Sequence, residues 1–425
     1  MRPYVYTMLI AIFLGLLWAF LTFTSIDRGW FHTAIAPKGD IQSFSTAAQN
    51  EIATRSQGNA VLLLIADGEI YSGYTHSTKQ AINQQTLFQV ASLSKWVTAW
   101  GVLSLVEQGK LDLDTPVDTY LSRWHLPPSQ FDNTKVTIRR LLSHTAGLTD
   151  GLGYGGFLPE QDIQSLEQSL TQAEDASPGK DGRVMVGIEP GSAFAYSGGG
   201  YTLLQLLIEE VSGQSFNDYM QQHIFQPLGM MRSTYILDTH HENVATLYDT
   251  QGKPATHYKF TALAASSLYT SGHDMTLFIQ AHFPTNDLAA GRGVLSPEML
   301  TRMREPHASE LGADIWGLGT ILYASNNKGD FIAGHDGSNE PAINTSVRYN
   351  PATGDGIVIL ETGNKFLATE LAGEWVYWQT SNIDLMLFSM KSEQMINIIL
   401  LGWLVLILAA IARFVRLYKA GSPRK

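Results

Sequence analysis

Ser92-Leu-Ser-Lys-Trp-Val-Thr-Ala-Trp-Gly-Val-Leu-Ser-Leu-Val-Glu-Gln108, followed by Gly109, carries apolar residues at 93, 96, 97, 100, 103 and 106. That spacing predicts a helix with one core-facing side, stopped by a glycine suited to a left-handed C-terminal turn. Its first turn holds a hydroxyl and an amine three residues apart, and such residues are neighbours on a helix, with Cβ atoms about 5–6 Å apart. The first backbone N–H groups of a helix lack intrahelical partners, so negative charge developing on a nearby oxygen is stabilised there. Ser92 can therefore supply both a nucleophile and an oxyanion donor. On isolated grounds Ser92 serves equally well as an N-cap and Lys95 as a solvated first-turn residue.

Ser-x-x-Lys occurs four times in the chain, so spacing alone decides nothing. Ser177-Pro-Gly-Lys180 contains a helix breaker, Ser325-Asn-Asn-Lys328 reads as a turn, and Ser422-Pro-Arg-Lys425 lies in a basic tail. Only Ser92 opens a long apolar-faced helix. Upstream, Ala60 to Ile65 and Glu69 to Tyr74 flank Asp67-Gly68, which predicts a hairpin with a type I′ turn. Downstream, Tyr201 to Ser212 shows a helical stripe at 203, 204, 207, 208 and 211, Phe216 to Phe225 ends at Pro227, and Ser271 to Phe283 reads as a further helix. Short β-rich runs return at Trp316 to Tyr323, Phe331 to Ala333, Ile343 to Tyr349 and Ile357 to Leu360, with Asn350 to Gly356 as a turn. Strands at both ends with helices between them predict an α+β fold with an antiparallel sheet.

Two further stretches follow in order. Ala195-Tyr196-Ser197-Gly198-Gly199-Gly200-Tyr201 stands just ahead of a helix, and Gly334-His335-Asp336-Gly337-Ser338-Asn339 follows a strand. With Ser92-Leu-Ser-Lys95 these resemble the three elements of the beta-lactamase-related serine hydrolases: Ser-x-x-Lys, Tyr-x-Asn, and Lys-Thr-Gly or His-x-Gly. That superfamily includes class C beta-lactamases, D-alanyl-D-alanine carboxypeptidases, D-amino-acid peptidases and esterases. The similarity extends through Leu141-Leu-Ser-His-Thr-Ala-Gly-Leu148 and Ile224-Phe-Gln-Pro-Leu-Gly-Met230, and covers roughly Ser45 to Thr380. His335 is the only one of 12 histidines followed two residues later by glycine.

The resemblance implies an antiparallel sheet flanked by helices plus a helical subdomain. It implies Ser92 as nucleophile, Lys95 as the amine that helps deprotonate it, and Tyr196 as the phenol passing a proton to the leaving group. A serine hydroxyl is a weak nucleophile until a base takes its proton, and a free lysine (pKa about 10.4) serves only when burial or a cation lowers that value. Lys95 and Tyr196 are read as sharing one proton. His335 is implied to orient or electrostatically assist Tyr196 and the substrate, Gly337 to let the strand approach the ligand, and the N–H groups of Ser92 and Ser338 to form the oxyanion hole. The Asn of Tyr-x-Asn is Gly198 here. That departure favours an esterase or a peptidase of unusual specificity over a beta-lactamase, with Ser197 as a partial substitute in substrate binding. Ser215-Phe-Asn217 offers another Ser-x-Asn, read as a helix cap.

The whole chain has 425 residues, 39 acids, 28 Lys and Arg, and no cysteine. Without cysteine there are no disulfides, no thiolate zinc sites and no thiol nucleophile, so any nucleophile is an oxygen or nitrogen. A net charge of −11 argues against a nucleic-acid partner. Pro3 to Ile26 and Gln394 to Ala412 contain no charge, and each is long enough to cross a bilayer at about 1.5 Å per residue. Arg2 precedes the first; Arg413, Arg416, Lys419, Arg424 and Lys425 follow the second with no acid, the bias of cytoplasmic flanks. Both termini are thus expected in the cytoplasm, with a −17 ectodomain outside an inner membrane. Signal-peptide cleavage is the competing reading for the first span, although Phe20-Leu-Thr-Phe-Thr-Ser25 offers no A-x-A-like site.

The expected organisation is a transmembrane segment or signal anchor at 1–26, a linker at 27–44 (polar from about Thr33 to Gln49), a hydrolase domain at 45–385, a second span at 394–412 and a basic cytoplasmic tail at 413–425. Neither cofactor nor metal is expected. Gly151-Leu-Gly-Tyr-Gly-Gly156 fits G-x-G-x-x-G but lacks the preceding strand of a dinucleotide site, and reads as a loop near the cleft. His240-His241-Glu242 lacks metal-site spacing, and the sequon Asn344-Thr-Ser346 falls inside a predicted strand. The expected function is a membrane-tethered serine hydrolase acting on an ester or amide in a small-molecule, peptidyl or cell-envelope substrate. A penicillin-binding D,D-peptidase or beta-lactamase, and a non-catalytic envelope binding module, are the two alternatives.

Overall fold

The computed structural model describes residues 2–151, 153–238, 241–285 and 288–421. In chain order its principal elements are α1 (Arg2–Asp27), α2 (Ile41–Arg55), β1 (Ala60–Ala66), β2 (Glu69–His76), α3 (Ser94–Glu107), α4 (Gly198–Ser212) and α5 (Gly272–Gln280). They are followed by β3 (Ala308–Glu310), β4 (Ala313–Trp316), β5 (Ile321–Ser325), β6 (Phe331–Asn339), β7 (Ile343–Asn350), β8 (Asp355–Thr362), α6 (Leu367–Thr380) and α7 (Leu385–Gly421). The eight strands form one sheet in the order β2-β1-β8-β7-β6-β5-β4-β3, every neighbouring pair antiparallel.

The hairpin forms as expected, with positive φ at Asp67 (50°) and Gly68 (83°), the two-residue signature of a type I′ turn. β1 sits between β2 and β8 and is buried on both faces, which explains its unbroken apolar run. Val61, Leu63 and Ile65 face a large helical core with Trp96, Trp100 and Leu203. Ala60, Leu62 and Leu64 face a second core with Phe44, Ala48 and Ile52 of α2 and Leu371 and Trp375 of α6. The fold is α+β, with a helical subdomain on one face of the sheet and the terminal helices on the other.

Several boundaries differ from the sequence reading. Trp316 to Tyr323 is two strands, because Gly317 and Gly319 make the turn between them and Gly319 packs on Ala99. β6 runs through the Gly334-His-Asp-Gly motif instead of ending before it. The helix after Ser215 passes through a π turn and Pro227 before Gly229 stops it at φ 75°. α3 is buried from Ser94 to Leu105 on every side, where periodicity suggested one buried face. Burial is eased because its buried Ser94, Lys95 and Thr98 side chains are hydrogen-bonded to backbone carbonyls, as Thr98 Oγ1 donates to the Ala264 carbonyl at 3.0 Å.

The expected linker is ordered. α2 starts at Ile41 with Asp40 as N-cap, and the preceding residues dock on α6: Trp378 Nε1 donates to the Pro37 carbonyl at 2.7 Å and His32 Nε2 contacts Glu374 at 3.0 Å. Nor is there a gap before the second apolar stretch. α7 begins at Leu385, where the Asp384 carboxylate accepts from the N–H groups of Met386 and Leu387, and continues unbroken into the apolar segment. α1 and α7 pack on each other, with the Trp18 indole donating to the Ile398 carbonyl at 3.1 Å and the Trp403 indole to the Gly15 carbonyl at 2.9 Å. The tail beyond Gly421, including Ser422 and Lys425, and His240 lie outside the described residues.

Candidate active site

The backbone just ahead of Ser92 is the first unusual feature. Ala91 adopts φ 48°, a conformation costly for a residue with a Cβ, and Ala91–Leu93 forms a short 3-10 turn that feeds into α3. This kink leaves Ser92 half-exposed while Lys95, one turn on, is 1% exposed. Lys95 Nζ donates to Ser92 Oγ at 3.1 Å and to the Ala265 carbonyl at 2.8 Å, and lies 4.9 Å from the ring centroid of Tyr196 and 5.8 Å from that of Tyr201.

β6 crosses beside this turn. Gly337 is the reason it can: a Cβ there would collide with the Val90 carbonyl oxygen, and Thr345 Oγ1 donates to that same oxygen at 3.0 Å. The glycine thus brings the strand against the backbone just ahead of Ser92. Ser92, Tyr196, His335 and Ser338 line one cavity of about 870 Å³. Trp316 supplies its aromatic wall, with ring centroids 5.4 Å from His335, 5.9 Å from Tyr196 and 4.8 Å from His144.

His335 is fully buried. Its Nδ1 donates to the Asp336 carbonyl at 2.6 Å, leaving Nε2 with no hydrogen-bond partner among the described residues. Burial first, then the nearby Lys95, pushes its pKa down to about 3, so it is a neutral imidazole at neutral pH. Any assistance it gives Tyr196 is therefore that of a neutral hydrogen-bonding group, not of a cation.

His144 received no role from the sequence beyond its place in the quoted Leu141–Leu148 stretch. It packs under Tyr196 with ring centroids 4.3 Å apart, and its Nδ1 accepts from the Ser197 N–H at 3.0 Å. Burial, Lys95 and His335 hold its pKa well below the ordinary imidazole range. Trp316 likewise was read only as the start of a strand. Nothing in their local patterns distinguishes either from a core aromatic.

Ser197 is not at the cavity wall. It is 3% exposed; its hydroxyl accepts from the Gly200 N–H at 2.7 Å and donates to Asp150 Oδ1 at 2.5 Å, while Asp150 Oδ2 accepts from the Gly199 N–H at 3.0 Å. This is an N-cap for α4, reinforced by a carboxylate on the positive end of the helix. A Cβ at Gly199 would meet that carboxylate and Val184. Gly198 is buried as the first residue of α4 and is likewise not part of the cavity lining. Asn344 of the sequon is 1% exposed and accepts from the N–H groups of Ala368 and Thr369 at the start of α6. Among the other Ser-x-x-Lys pairs, Ser177 and Lys180 lie in a loop outside the cavity.

The Beta-lactamase family profile matches residues 44–380. The chain belongs to the beta-lactamase family. It is 35% identical over 182 residues to Penicillin-binding protein 4* of Bacillus subtilis (strain 168), covering 41% of this chain and 38% of that protein's length. It is 28% identical over 323 residues to Penicillin-binding protein 4 of Amycolatopsis lactamdurans, covering 72% of this chain and 80% of that protein. Among solved structures, the octameric penicillin-binding protein homologue from Pyrococcus abyssi superposes with a TM-score of 0.64 at 24% identity, over 80% of this chain and 76% of that one. At that identity the likeness speaks for the fold.

Proposed function

We propose that the protein is a membrane-tethered serine hydrolase that forms an acyl-enzyme on Ser92 and hydrolyses it with water. The observation that carries this reading is the buried Lys95 amine 3.1 Å from the Oγ of Ser92, which lines one cavity with Tyr196 and His335. In the proposed sequence Lys95 relays the Ser92 proton, Oγ attacks the substrate carbonyl, and the resulting oxyanion is held by the N–H groups of Ser92 and Ser338. Tyr196, beside Lys95, delivers the proton to the leaving group. Losing one oxyanion donor typically costs about 10²–10³ in rate.

Two considerations support the tether. α1 and α7 are long enough to cross a bilayer, and in their most apolar windows only 6% and 0% of the residues are buried, so neither is a core helix. Their flanking charges favour cytoplasmic termini and an extracytoplasmic catalytic domain. The scissile bond is an ester or an amide. Penicillin-binding relatives favour the second reading, a D,D-peptidase, while Gly198 in place of the family's Asn favours the first. Full-length protein should react with a serine-directed fluorophosphonate, and Ser92→Ala should abolish labelling; unlabelled wild-type protein would leave the binding-module reading standing. Rapid cleavage of p-nitrophenyl esters beside slow turnover of a chromogenic cephalosporin would separate an esterase from a beta-lactamase.

A further inference from the structure

The catalytic cavity has a wall that the chemistry at Ser92 does not use. Leu385, Met386, Ser389, Met390 and Glu393 all line it, and their spacing places them on one face of the first turns of α7. Three of the five are apolar, two of them methionines, whose unbranched thioethers adapt to flexible apolar partners. Phe366 joins them at the mouth. Phe366 is 56% exposed and Met390 40% exposed, a pair of large apolar groups that water would leave uncovered.

The position of this wall along the helix identifies what covers it. Glu393 is the last charged residue before the uncharged stretch from Gln394 to Ala412, so the cavity ends where the proposed bilayer begins. From Leu385 to Glu393 the helix rises roughly 12 Å. The wall is also held in register with the catalytic strand. Asp384, which caps α7, pairs at 3.0 Å with the fully buried Arg348, and Arg348 pairs at 3.2 Å with Asp336, the neighbour of His335.

Resting on the hydrolase and tether readings above, we infer that this wall of α7 is a subsite for the alkyl or acyl chain of an amphiphilic ester or amide. The chain lies along Leu385, Met386 and Met390 with its far end in the bilayer, while the scissile carbonyl sits at Ser92. A soluble envelope peptide would have no use for an apolar path that leads into the membrane.

The test uses full-length protein in phosphatidylcholine vesicles with p-nitrophenyl acetate and p-nitrophenyl dodecanoate. Burying one methylene is worth roughly fourfold in binding. The dodecanoate-to-acetate ratio of kcat/KM should therefore fall by at least about tenfold in Met386→Glu and Met390→Glu, each of which withdraws two or more methylenes from apolar contact. Met231→Glu, at an exposed position outside the cavity, should keep the wild-type ratio. A wild-type ratio in both glutamate variants overturns the chain subsite and leaves the hydrolase reading intact. Failure of wild-type protein to cleave even the acetate ester, together with no phosphonate labelling at Ser92, overturns both.

Discussion

His335 and Asp336 are consecutive on one strand and both line the cavity, yet they are partnered differently. On one side, His335 keeps an unpartnered Nε2 and shares its cavity with Ser92, while the buried amine of Lys95 rests on neutral acceptors and aromatic faces. On the other, Asp336 accepts from Ser346 Oγ and pairs with Arg348, which also pairs with Asp384 and lies 4.0 Å from the ring centroid of Tyr323. A buried polar group is normally satisfied, because leaving it unpaired costs about 1–3 kcal/mol. Both clusters leave atoms unpaired: in the second, Arg348 Nε and Nη1, Asp384 Oδ2 and the Tyr323 hydroxyl have no hydrogen-bond partner among the described residues. What separates them is charge: the second is ion-paired and ties the sheet to α7, while the first leaves a neutral lone pair free where a reaction would need one.

Substitutions can break this contrast in a graded order. Lys95→Met should lower turnover most, by about 10²–10⁴-fold, the usual contribution of a positioned general acid or base. Its stability should change by no more than about 2 kcal/mol, the cost of the unsatisfied Ala265 carbonyl. Ester turnover and urea unfolding measure the two together, and a large stability loss would show that Lys95 is structural. Arg348→Met should behave in reverse. It strands two buried carboxylates and should destabilise by about 3–5 kcal/mol; an unchanged unfolding midpoint would mean the paired cluster contributes nothing.

The third substitution sharpens the contrast through pH. His335 has a folded pKa near 3 against 6.5 in the unfolded chain, so between those values the unfolded state binds more protons and stability falls as pH falls. Above pH 6.5 this contribution is constant. At pH 4.5 wild-type protein should have lost roughly 3 kcal/mol to this histidine, and His335→Gln should remove that part of the acid sensitivity. Identical pH–stability curves for the two proteins would refute the buried neutral imidazole. The smallest effect is expected at Ser197→Ala, which removes the α4 cap and should cost about 1–2 kcal/mol. KM should stay at the wild-type value, and a rise in KM without loss of stability would restore Ser197 to substrate binding.

Much of this was legible without coordinates. The Asp67-Gly68 hairpin and the helices after Ser92, Tyr196 and Ser271 follow from local periodicity and turn chemistry, which act over a few residues. Ser92, Lys95, Tyr196 and His335 were legible as an ordered set because three separate stretches matched one family's pattern. Ser197 stayed open for a physical reason: a serine before a glycine-rich helix start suits a cap and a substrate contact equally well in sequence, and the cap geometry appears only with Asp150, brought in from 47 residues away. Likewise Gly337 was read as making room for a ligand, and the close approach of the Val90 carbonyl to it was not legible in the sequence.

The sequence by itself determined that any nucleophile is not a thiol, that a hydroxyl and an amine share a helical turn, and that two segments are apolar enough to span a bilayer. These are properties of residue type and short-range spacing. Only the tertiary structure decided that His335 is neutral, that His144 and Trp316 back the phenol, and that the wall of the cavity is the same helix that continues into the apolar segment. Burial and long-range proximity set each of these, and neither is written in any local window of the chain.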